Sequence, residues 1–155
     1  RLHRPNDLSV ILLIVRLAEA KGEYQTASRE IEKAEALEPR NPAVLVSKGV
    51  LLAKLNRFTE AENVLKSAVE LNPASAEAHG ALGWAYLKLE QYAAAEQSLR
   101  QAIQLNEADS FAHNNLGVLL ELTDRADEAK KEFQRALELN SGLDSARANI
   151  ERLKE

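Results

Sequence analysis

ASAEAHGALGWAYLKLEQYAAAEQSLRQAIQLN, residues 74–106, is the stretch over which the rest of the chain can be laid at one fixed spacing of 34 residues. In it the small residues Gly83, Ala95 and Ala102 alternate with Leu82, Tyr86, Tyr92 and Leu99. Counted within repeats that start at Leu8, Pro42, Ala76 and Ser110, slot 20 holds Ala27, Ala61, Ala95 and Ala129. Slot 27 holds Ala34, Ala68, Ala102 and Ala136, and slot 30 holds Leu37, Leu71, Leu105 and Leu139. Slot 24 is Ile31, Leu65, Leu99 and Phe133; slot 17 is Tyr24, Phe58, Tyr92 and, as the exception, Ala126. A self-similar period of this length marks a stack of short structural units, none of which buries its apolar face alone.

The registers agree without a gap for repeats at 8–41, 42–75, 76–109 and 110–143, with a lead-in at 1–7 and a remnant at 144–155. Each repeat reads as two helices, at about slots 1–14 and 18–31, because apolar residues recur at helical spacing in both halves. Breaks at Gly22-Glu23, Asn56-Arg57, Glu90-Gln91 and Asp124-Arg125 are too short for anything but antiparallel neighbours. Asp7, Asn41, Ser75 and Asp109 are placed to cap the first helices, Asn41 with Pro42 behind it, and Thr59 to Glu62 has the spacing of a capping box. The alanine slots allow helix axes to approach closely. The remnant, with Ala146, Ile150 and Leu153 on one face, reads as a capping helix that covers the last apolar surface.

Composition agrees with an all-α stack. The 155 residues are 45% apolar and 28% charged, with one Trp, three Tyr, three Phe, four Pro and six Gly, too few turn formers for a β fold. A formal net charge of -4 with no concentrated basic face speaks against nucleic acid or an anionic membrane as partner. The longest apolar run, residues 10–15 extended to Leu17 and Ala18, is far short of a membrane span. There is no Cys for disulfide or thiolate chemistry. There is no Met even at residue 1, so the chain is expected to be a piece of a longer protein. Phosphate loops, nucleophile elbows, zinc-protease helices and dinucleotide glycines are all missing, so neither catalysis nor a cofactor is expected.

With period, small slots and helix pairs in place, residues 8–143 resemble the tetratricopeptide repeat family, most fully at Leu82-Gly83, Tyr86, Tyr92, Ala95, Leu99 and Ala102 after Asn72-Pro73. Departures occur at Val15, where the family has a small residue, at Lys48, where it is usually apolar, and at Glu107 and Ser141, opposite Pro39 and Pro73. The resemblance implies one domain, a right-handed superhelical solenoid whose concave face is lined by the first helices and takes an extended peptide or a helix. Carried residue by residue, the implied groove includes Leu12, Arg16, Val46, Val50, Lys54, Trp84, Leu87, Lys88, Phe111, Asn114, Asn115, Val118 and Glu121. Its charges, with Glu19 and Glu77 included, cancel, so net field selects no strongly charged ligand. The carboxylate clamp of one family subtype is absent, since its slots hold Leu12, Arg16, Ser47, Glu77 and Ala81.

Trp84, the one Trp, stands in a groove slot between Val50 and Val118, as a hot-spot aromatic or as packing between first helices. Asn114 and Asn115 are placed for a polar ligand contact or for solvation. His79 and His113 share a slot but lack further ligands for zinc, so they read as core or half-buried histidines. The expected function is a non-catalytic protein-interaction scaffold that binds an apolar or amphipathic segment. Two alternatives stand beside it: self-association through the apolar residues 8–18, and a targeting domain for an enzyme whose catalytic part lies elsewhere. Val10 to Leu17 make the first helix apolar nearly all round, and either upstream residues or a second copy of the chain would cover it.

Overall fold

The computed structural model describes residues 7–153. Among them run nine α-helices and no strand: α1 (Leu8–Ala20), α2 (Tyr24–Leu37), α3 (Pro42–Lys54), α4 (Phe58–Leu71), α5 (Ala76–Lys88), α6 (Tyr92–Leu105), α7 (Ser110–Leu122), α8 (Ala126–Leu139) and α9 (Asp144–Arg152). The all-α class is thus as expected. Residues 1–6 of the lead-in, and Lys154 and Glu155 of the remnant, lie outside the described residues.

Local chemistry sets the helix starts. Asp7 accepts from the Ser9 N–H at 2.9 Å, Asn41 from Ala43 at 2.9 Å, Ser75 from Ala78 at 3.1 Å, and Asp109 from both Phe111 and Ala112 at 3.0 Å. Each satisfies amide donors that have no partner inside the first turn. The second helices start differently. Each preceding helix ends on a left-handed residue, Gly22, Asn56, Glu90 or Asp124, with φ of 74°, 61°, 59° and 59°. The next N–H then reaches back past that residue, Glu23 to Ala18 at 2.8 Å, Arg57 to Leu52 at 2.9 Å, Gln91 to Tyr86 at 2.9 Å and Arg125 to Leu120 at 2.8 Å. This is the Schellman closure, and it turns the chain into the second helix within a few residues. It also corrects the capping box expected at Thr59–Glu62. Helix α4 already starts at Phe58 after Arg57, so Thr59 is inside it, and Glu62 pairs with Lys66.

The helices gather into two compact units, one ending at Pro73 and the other beginning at Ala74. In the first, α1 pairs with α2 and α3 with α4, while α3 also packs on α2 and α1. Its core joins Val15, Ala18, Ala27, Ile31 and Leu51 in one cluster and Ile11, Ala34 and Val44 in another. In the second, α5 pairs with α6 and α7 with α8; α7 rests on α6 and α5, and α9 closes over α8 and α7. Ala136, Leu143 and Ala146 form the seam under α9.

All eight alanines of slots 20 and 27 are 0% exposed. The paired helices also come close at glycines: a Cβ added at Gly83 would stand 2.6 Å from Leu99 Cγ and 3.1 Å from the Leu99 amide nitrogen, and one added at Gly80 would stand 3.7 Å from Ala102 Cβ. Helix axes this close leave no room for a larger side chain. Ala61→Leu and Ala95→Leu are each expected to cost about 1–3 kcal/mol through overpacking, read as a lower thermal midpoint by circular dichroism. An unchanged midpoint in both variants would mean that the paired helices do not meet at these alanines. The recurrent leucine of slot 30 has a different role: Leu37, Leu71 and Leu105 are 44%, 41% and 38% exposed at their helix ends.

Candidate partner-binding surfaces

In the first unit the implied groove residues lie on α1 and α3. Leu12 is half-buried against the Ile11–Ala34–Val44 cluster, Arg16 is exposed, Val50 is half-buried, and Val46, at 4%, offers almost no surface. Lys54 reaches across from α3 to α1, where its ammonium donates to Glu19 Oε2 at 3.2 Å. Two charges expected to face a ligand therefore face each other. On the remaining side of α1, Leu13, Ile14 and Leu17 stay 57%, 38% and 54% exposed, which gives the all-round apolar pattern of this helix a definite open face.

In the second unit the same positions on α5 and α7 present more side-chain surface. Phe111 is 62% exposed. Trp84, Asn115 and Val118 are half-buried, Lys88 is exposed, and Leu87 is buried. Leu122, not singled out from the sequence for this surface, is also open at 56%. Asn114 is buried, and its Oδ1 accepts from Asn149 Nδ2 of α9 at 3.1 Å. Asn149 Oδ1 in turn accepts from Arg152 Nη1 at 3.1 Å, and the Arg152 guanidinium donates through Nε and Nη2 to both oxygens of Glu121. The hydrogen bonds to Glu121 hold Arg152 above the ordinary arginine value. Asn114 and Glu121 are thus joined to α9. Their partners lie 35 and 31 residues on, close to one repeat period, and a search for polar pairs at that separation would have found them.

His113 is buried, with Nδ1 2.6 Å from Glu132 Oε2 and Nε2 3.3 Å from the Glu107 carbonyl, so it ties α7 to α8 and to the turn before α7. His79 is half-buried. Among the described residues no group of three or more His, Cys, Asp or Glu is arranged to hold a metal ion. On the second helices Glu96 is gripped by Arg100 at 2.7 Å and by Arg125 at 3.0 Å. Burial pushes the Glu96 carboxyl upward, but the hydrogen bonds from the two guanidinium groups outweigh it and hold the group below its ordinary 4.5. No described helix is long and apolar enough to cross a membrane.

A family model described as tetratricopeptide repeat matches residues 12–76, 46–110 and 81–148. Among solved structures, the MamA 41-end protein from Desulfovibrio magneticus RS-1 is 27% identical, with a TM-score of 0.70 over 92% of this chain and 80% of that one. A thermophilic TPR protein from Thermus thermophilus aligns over 95% of this chain and 81% of its own, with 22% identity and a TM-score of 0.85. For pilF of Pseudomonas aeruginosa the figures are 94%, 67%, 20% and 0.81. The last two likenesses concern the fold alone. No curated protein matches the chain.

Proposed function

Because the chain belongs to the tetratricopeptide repeat family, whose members are in general non-catalytic protein-interaction scaffolds, we propose that it holds an apolar or amphipathic segment of a partner protein on its first helices. Phe111 carries this reading. Its ring is 62% exposed on a helix that buries Leu116, Leu119 and Leu120 almost completely. Scattered surface leucines need no explanation. An open aromatic on α7, beside the helix that carries Trp84, is the composition of a binding hot spot. The exposed Lys88 and the half-buried Asn115 on the same two helices offer polar contacts, which suits an amphipathic segment with apolar anchors and a mixed polar edge.

Trp84 is the one Trp of the chain, so its emission reports on this surface without labels. Titration with a peptide selected from a displayed random library is expected to shift the Trp84 emission saturably, and Phe111→Ala is expected to weaken the response. Tight binding with no change in emission and no effect of Phe111→Ala would place the contact elsewhere.

A second reading rests on Leu13, Ile14 and Leu17. Three open aliphatic side chains on one helix form an apolar patch that a second copy of the chain could bury through residues 8–18. Light scattering should then find a dimer for the parent protein and a monomer for Leu13→Glu combined with Leu17→Glu. A monomer in both cases removes this reading.

A further inference from the structure

A cleft of about 480 Å³ opens between α2 and α4 over the end of α3. Ile31, Leu51, Leu52, Leu55 and Val64 make its apolar lining. Lys48, paired with Glu35 at 2.7 Å, stands on its rim. So does Arg57, whose Nε and Nη2 donate to Glu60 at 2.7 and 2.6 Å. Its volume is of the size that takes a ligand of a few side chains.

The second unit shows what an arginine in this position takes on its remaining nitrogen. Arg125, two repeats after Arg57, pairs through Nε and Nη2 with Glu128 at 2.8 Å, as Arg57 does with Glu60. Its Nη1 then spans to α6 and donates to both oxygens of Glu96 at 3.0 Å, a charge-assisted contact that straps the two second helices together. The position of Glu96 is Ser28 in the first unit, and that of Arg100, the other partner of Glu96, is Glu32. Among the described residues no acceptor reaches Arg57 Nη1 and no donor reaches the Glu32 carboxylate. The first unit therefore keeps the arginine and lacks its strap. What remains is a trough with one guanidinium nitrogen, Arg57 Nη1, that has no protein acceptor although Glu60 holds the other two, and one exposed carboxylate, Glu32, that has no protein donor.

We infer that the α2–α4 cleft is a second docking site, for a peptide segment of a partner protein that lays a leucine-class side chain against the open Leu55 and the half-buried Val64, sets a carboxylate on Arg57 Nη1 and brings a basic side chain to Glu32. The charges of both signs select this occupant over a fatty acid or another simple carboxylate, which would leave Glu32 unanswered. Leu55, 39% exposed, and Val64 supply the apolar contact. The exposed ion pairs, each weak in water, fix the register. The site is separate from the first-helix surfaces, and either can fail without the other.

The probe is a capped peptide, Ser-Leu-Glu-Leu-Leu-Lys-Leu-Ser, titrated into the isotope-labelled chain and followed by backbone amide shifts. Perturbations are expected around Ile31, Leu55 and Val64. Exchanging the peptide Glu for Gln should weaken binding about threefold to tenfold, and should make no difference to Arg57→Gln, because the coupling then has no partner. Ser28→Glu supplies the missing carboxylate from within and should abolish the perturbation while circular dichroism stays unchanged. The inference is overturned by shifts confined to α5 and α7, by equal affinity for the Gln peptide, or by undiminished binding to Ser28→Glu. Concentration-dependent shifts in the cleft without peptide would equally overturn it, since a second copy of the chain would then be the occupant.

Discussion

Phe133→Ala is expected to destabilise the second unit by about 3–5 kcal/mol, the loss typical of a buried aromatic truncated to a methyl. Phe133 is 0% exposed on α8, and its ring fills the space left by the missing side chain at Gly117. A Cβ there would stand 2.5 Å from Phe133 Cε1. Ring and glycine are thus one steric unit. Gly117→Ala alone should also destabilise, by about 1–3 kcal/mol as an overpacking change, but in the Phe133→Ala background most of that penalty should vanish, because the clashing ring is gone. Phe133→Leu should be far milder, since Leu65 and Leu99 fill the same slot in earlier repeats at 0% exposure. Urea unfolding followed by circular dichroism measures all four variants against the parent. Additive losses for Phe133→Ala and Gly117→Ala would contradict the packing described.

Trp84→Ala should weaken the binding of a selected peptide by about 2 kcal/mol or more, roughly 30-fold in dissociation constant. The indole is half-buried on α5, so part of any loss could come from the fold, and calorimetry on Trp84→Phe separates the two contributions. Phenylalanine preserves much of the packing but removes the larger aromatic face, and affinity should fall partway while the unfolding midpoint hardly moves. Phe111→Ala sharpens the comparison: a side chain 62% exposed contributes little to stability, so its effect should appear almost wholly in binding. A loss under a few tenths of a kcal/mol for Trp84→Ala would assign the indole to packing alone.

The period, the helix pairs and the alanine seams are legible in the sequence because each rests on residues a few positions apart. Asp7, Asn41, Ser75 and Asp109 can be read as caps for the same reason, and each accepts amide hydrogen bonds as its position implies. Thr59 misleads because a capping-box pattern takes no account of the turn before it. The left-handed Asn56 closes α3 and delivers the chain into α4 two residues early, with Arg57 at the cap position in place of Thr59. Slot 30 shows that recurrence is not burial, with the same leucine open to solvent at Leu37, Leu71 and Leu105. Composition does not tell the buried Ile11 and Val15 from the open Leu13 and Leu17 on one apolar helix; only the position of α2 and α3 decides that.

The surface is harder to read than the fold. Family slots point to Trp84, Phe111 and Asn115, but not to which of their neighbours are already engaged. Glu19 with Lys54 in the first unit, and Asn114 and Glu121 with α9 in the second, find partners about one period away. Those pairings depend on how successive first helices stack, which no single repeat reveals. The unstrapped Arg57 is visible only when two repeats are compared with a third and fourth, since Glu60 follows Arg57 at the same spacing as Glu128 follows Arg125 and the difference lies at Ser28.

Backbone amide shift mapping of the labelled chain with a library-selected peptide tests the central claim most directly. The first-helix account predicts perturbations on α5 and α7 around Trp84, Phe111, Asn115 and Val118, with contacts from the Trp84 indole and the Phe111 ring to the peptide. Perturbations confined to α6 and α8, with both aromatic rings unaffected at saturation, would contradict it.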